Sequence, residues 1–108
     1  MAAGESGSYR VDATPKVKQQ IQELRKLAKH RGMVGNYVSA LRKLVDALEQ
    51  APLDWGDPQY RTQQQGGLVC QGISNPLLVH YAVYEQEKSV LIIDLDFLPW
   101  FKEDQQSS

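Results

Sequence analysis

Few side chains in this sequence could do chemistry. His80 is one of two histidines, Arg61 is the only arginine after residue 43, and Tyr60, Tyr81 and Tyr84 stand close to them in the chain. Cleaving a phosphodiester without metal needs a base for the attacking hydroxyl, cations for the developing charge and an acid for the leaving group. Arg61, His80 and Tyr84 are the set that could take those roles. In Leu77–Tyr84, LLVHYAVY, a period of two puts His80 and Tyr84 on one side with Leu78 and Ala82. Tyr81 falls on the other side with Leu77, Val79 and Val83. His80 and Tyr84 could then line an exposed sheet face. The plainer reading makes His80 a half-buried sheet residue bonded to a neighbour, and one histidine without a nearby cationic cluster favours it.

Other chemistry is thinner. Asp94 and Asp96 lie two apart on a strand and share a face, where they could hold a divalent cation with Asp54 or Asp57. The reading preferred is that they pair with Lys or Arg on the solvent or helix side, so no metal site is expected. Cys70 lies in an alternating run, LVCQGI, and reads as a small core residue. Gly66-Gly67 lacks the lysine and helix start of a phosphate loop, and no cofactor is expected. Lys18, Arg25 and Lys29 fall on one helical face opposite an apolar stripe and could track nucleic-acid phosphates. No aromatic interleaves with them, so a solvated helix surface is the plainer account. Leu98, Trp100 and Phe101 make an unusually apolar segment before a polar end. They either fold back onto the core or form a patch for a partner.

The elements that must position these groups are bounded by size. The chain has 108 residues, 42% hydrophobic and 23% charged, with a formal net charge of −1. That supports one folded domain and argues against a disordered or fibrous chain. No apolar run approaches a membrane span, no secretory leader is visible and one cysteine cannot form an internal disulfide. A cytoplasmic protein without membrane contact is the expectation. The charge is uneven: residues 1–50 carry nine Lys/Arg and five Asp/Glu, residues 51–108 three and eight.

Residues 1–8 and 102–108 read as polar tails around a domain over 9–101. Tyr9–Ala13 alternates like a short strand. Thr14-Pro15 is a helix start, followed by the stripe Val17, Ile21, Leu24, Leu27 and Ala28, with Gly32 as its stop. A second helix begins near Asn36, turns Tyr37, Val38, Leu41, Leu44, Val45 and Leu48 inward, and ends at Pro52. The short linker makes a helical hairpin. Asp54–Pro58 reads as a loop, Tyr60–Gln65 and Leu68–Ile73 as weaker strands, and Leu77–Tyr84 and Ser89–Leu95 as strong ones joined by Glu85–Lys88. The fold class is α+β, in the order β-α-α-β-β-β, with a helical hairpin packed on a mostly antiparallel sheet.

A short strand, a two-helix hairpin and meandering strands resemble the RelE/ParE superfamily of bacterial toxin–antitoxin proteins, over about residues 9–98. The strongest local likeness is LLVHYAVYEQEKSVLIIDL, residues 77–95, where Val79, Tyr81, the turn at 85–88 and Val90–Leu95 fit the family pattern. The resemblance implies a plasmid-stabilisation type protein whose partners are a cognate antitoxin or a second copy of itself. In active members it implies ribosome-dependent cleavage of mRNA, and in the gyrase-directed branch inhibition without a catalytic set. Leu78 stands where the family's strand arginine would be, and Asp94-Leu95-Asp96 where further cations would be expected. Arg61 is the one residue able to replace them. The acidic half is the sheet side, which carries the catalytic residues in the family. The sequence therefore reads as a catalytically degenerate, protein-binding member, with the mRNA endonuclease and the gyrase inhibitor as alternatives.

Overall fold

The computed structural model describes residues 8–62 and 66–101. Of the two expected tails only Ser8 falls among them, and residues 63–65 of the expected strand Tyr60–Gln65 lie outside the described residues.

Strand β1 (Arg10–Ala13) gives way to helix α1 (Pro15–His30) at Thr14, whose Oγ1 accepts from the Val17 amide at 3.2 Å. Pro15 takes the first helical position, where its missing donor costs nothing. Gly32 ends α1 with φ of +71°, which a side chain would strain. The Met33 amide donates back to the Ala28 carbonyl and the Gly32 amide to that of Lys29, a Schellman closure. Helix α2 (Val34–Gln50) follows after three residues and has no side-chain cap at Met33.

A further short helix, α3 (Pro52–Trp55), occupies part of the stretch expected to be a loop, and strand β2 (Asp57–Arg61) the rest. Trp55 anchors this segment over Gly72, where a Cβ would meet its ring. Pro58 is tolerated because β2 is an edge strand. Strands β3 (Leu68–Ser74), β4 (Leu77–Tyr84) and β5 (Ser89–Phe97) complete a five-stranded sheet in the order β1-β5-β4-β3-β2. Only β1 and β5 pair in parallel. The α+β reading with a mostly antiparallel sheet holds, with one more strand after the hairpin than β-α-α-β-β-β contains.

The helices cover one face of the sheet. Leu77, Val79, Tyr81 and Val83 of β4 and Val90, Ile92, Leu95 and Phe97 of β5 pack there against Val17, Tyr37, Leu44 and Leu48. Tyr37 closes the layer by donating its hydroxyl to the Ile21 carbonyl at 2.7 Å, and burial pushes its pKa from 10.0 to about 12. Tyr81 donates to the Pro52 carbonyl at 2.7 Å and is likewise pushed up by burial. No helix among the described residues is long and apolar enough to cross a membrane.

Candidate functional site on the open sheet face

Alternation along the strands turns His80 and Tyr84 to the face the helices leave open. That face is built in rows. Tyr60, Val69, Ala82 and Leu91 stand at matched positions on β2, β3, β4 and β5 and make an apolar row. Beside it runs a polar row of Asp57, Gln71, His80 and Asp94. Beyond that come Ile73, Leu78 and Asp96. Tyr60 and Ile73 are 62% and 54% exposed, large values for apolar side chains of a sheet.

Within the polar row Gln71, His80 and Asp94 are joined to one another or to the helix. His80 Nε2 donates to Gln71 Oε1 at 3.0 Å, which leaves Nδ1 turned to Asp94 Oδ2 at 4.0 Å. Asp94 is held from the helix side as well. Gln20 Nε2 donates to its Oδ1 at 3.1 Å, and Lys16 Nζ stands 3.2 Å from the same oxygen. Burial alone would raise the Asp94 carboxyl, but Gln20, Lys16 and His80 outweigh it and hold its pKa below the ordinary value.

A local irregularity makes this arrangement possible. His80 pairs with Asp94 but Tyr81 with Ile92, so Ile93 is an extra residue in β5. β1 has ended by then, its last matched residue being Ala13 opposite Ile92. The Leu95 amide therefore has no strand partner on that edge, and Gln20 Oε1 accepts from it at 3.2 Å. Gln20 thus stands in for a strand and fixes Asp94 in one contact.

Arg61 lies elsewhere. Its Nη1 donates to the Gly66 carbonyl at 2.8 Å and its Nη2 is 3.8 Å from Glu85 Oε1. It lines a cavity of about 280 Å³ with Gly66, Tyr84 and residues 85–87 of the β4–β5 turn. Tyr84 packs against Gly67, where a Cβ would meet its ring. His80 and Tyr84 are four residues apart on one strand, about 13 Å. The structure brings Arg61 and Tyr84 together and leaves His80 apart from both.

Among the other sequence-derived positions, Phe101 is buried. Its ring stacks on Phe97 with centroids 4.1 Å apart, and Arg31 covers it while donating to its carbonyl. The segment after β5 has folded back, Leu98 is half-buried and Trp100 remains 45% exposed. Leu78, on the open face, is half-buried beside Asp96. Lys18, Arg25 and Lys29 are exposed on α1, but only Arg25 and Lys29 line a cavity. Cys70 is buried under the helices and burial raises its thiol, which removes it as a nucleophile. Among the described residues no group of three or more His, Cys, Asp or Glu is placed to hold a metal ion.

The sequence reading missed Gln71, Gln20 and Lys16. Gln71 was legible as the polar member of the alternating run Val69–Ile73, and Lys16 and Gln20 as one face of a helix at i, i+4. Their meeting at Asp94 depends on the extra residue in β5, which no local pattern marks.

The open face presents Tyr60 and Ile73 at its exposed rim, while Val69 and Ala82 of the apolar row are buried. For proton transfer it offers one histidine, with Nε2 bonded to Gln71 Oε1 and Nδ1 4.0 Å from Asp94 Oδ2. No family model, curated protein or solved structure matches the chain.

Proposed function

We propose that this chain is a divergent RelE/ParE-like protein that acts by binding a protein partner and not by cutting RNA. The order of elements and the helical hairpin on a mostly antiparallel sheet support the likeness. One observation carries the degenerate reading: His80 and Arg61 are tied to neighbours, and His80 stands apart from the cavity that Arg61 and Tyr84 share. His80 is bonded to Gln71 and faces Asp94, and Arg61 is engaged by Gly66 and Glu85. A transition state gaining negative charge on this face would meet carboxylates where active members need cations.

The partner surface in this reading is the open face with Tyr60 and Ile73, and Trp100 is a separate exposed apolar point beyond the end of β5. The occupant is a cognate antitoxin or a second copy of the chain. Induced expression tests the reading, with growth followed and mRNA ends mapped by primer extension. Unchanged growth and uncut transcripts are expected. Co-purification with a small DNA-binding protein encoded beside it, lost in Ile73→Asp, would support an antitoxin. A cavity shared by Arg61 and Tyr84 favours the endonuclease as second reading, and cuts within translated codons, lost in Arg61→Ala, would establish it.

A further inference from the structure

On the helical side of the molecule, away from the open sheet face, α1 and α2 enclose a basic trough. One cavity of about 460 Å³ is lined by Ile21, Gln22, Arg25, Lys26, Lys29 and Val34. A second, of about 520 Å³, shares Arg25 and Val34 with it and adds Arg42 and Lys43 from α2. The two cavities adjoin at Arg25 and Val34. All five cations are exposed, and among the described residues none of them forms an ion pair. Asp46 is the one acidic residue lining it.

Five unpaired cations facing one acid repel one another unless an anion lies among them. We propose that this trough binds the phosphate backbone of a single nucleic-acid strand. Successive cations on α1, Arg25 and Lys29, are one turn apart, about 6 Å along the axis. Arg42 and Lys43 face them across the trough, so a strand lying in it has cations on both sides. An acidic peptide fits less well. The apolar floor is Ile21, Val34 and Val38, of which Val38 is 37% exposed and none is aromatic, too small to anchor an amphipathic helix. With no aromatic side chain in the trough the bases find no stacking platform, so binding is indifferent to sequence and sensitive to salt. This site is independent of the protein-partner reading and can fail or stand without it.

The test is fluorescence anisotropy of the full chain with labelled oligothymidylate of about 12 nucleotides. Binding is expected at about 50 mM salt, with affinity falling on a log–log slope of up to about −3.5 for five contacts to a single strand. Lys29→Glu with Arg42→Glu should weaken binding and flatten the slope by about 0.7 for each contact removed. Lys26→Gln with Lys43→Gln, milder at the same trough, should do so to a smaller degree. Lys18→Glu changes charge on the same helix outside the trough and should leave binding unchanged. The proposal is overturned by absence of binding at low salt, or by equal loss in Lys18→Glu. A duplex bound more tightly than the single strand, or a polyglutamate peptide preferred to it, would overturn it equally.

Discussion

His80 and Gln71 face each other at matched positions of neighbouring strands, with Nε2 and Oε1 3.0 Å apart. That bond makes the only histidine of the sheet a member of the open face's polar row. With Nε2 donating, the remaining acceptor of a neutral ring is Nδ1, and Asp94 stands in front of it. The helix holds Asp94 in turn, so the row runs from β3 through β4 and β5 to α1.

Asp94→Asn removes a carboxylate that Gln20 and Lys16 keep ionised. Its folded-state pKa is depressed, so its contribution is present above the unfolded value, about 3.9, and is lost as pH falls through the folded one. Urea melts should show wild type more stable than Asp94→Asn at neutral pH. The gap should close in acid, below about pH 4.

Gln20→Ala removes two bonds at once and leaves the Leu95 amide without its acceptor. The expected loss is about 1–3 kcal/mol in denaturant unfolding. Faster hydrogen exchange at Leu95 should accompany it, while the amide of buried Val79 keeps its protection.

Tyr37→Phe leaves the Ile21 carbonyl without its side-chain donor, at a cost of about 1 kcal/mol near neutral pH. The raised pKa of Tyr37 means that stability is full below about pH 10 and falls as pH rises toward the folded value. Tyr37→Phe should flatten that alkaline decline, which stability curves between neutral pH and the onset of base unfolding would reveal.

Gly72→Ala puts a methyl group into the Trp55 ring. Overpacking of this kind costs about 1–3 kcal/mol. Combining it with Trp55→Leu, which opens the space, should give less than the sum of the two single losses in the same melts.

Much of this fold was legible in the sequence. Thr14-Pro15 marked the start of the first helix through its capping chemistry, and Gly32 its end through a backbone angle that glycine adopts without strain. Period two along Leu77–Tyr84 separated Tyr81 from His80, and the two residues do lie on opposite faces. Asp54–Pro58 was harder, because Pro58 and Gly56 carry loop signals. What makes this stretch a helical turn and an edge strand is tertiary: Trp55 rests on Gly72, and β3 offers its edge to β2. The site was legible as residue types but not as a network. Gln20 and Asp94 are 74 residues apart, and their meeting rests on an extra residue in β5 opposite the end of β1.

The proposed function is binding without cleavage. A reconstituted translation reaction supplied with the purified protein, with mRNA ends mapped at nucleotide resolution, tests it most directly. Full-length mRNA is expected, with the same end profile for wild type, Arg61→Ala and His80→Ala. Cuts within translated codons that appear with wild type and vanish in either variant would contradict it.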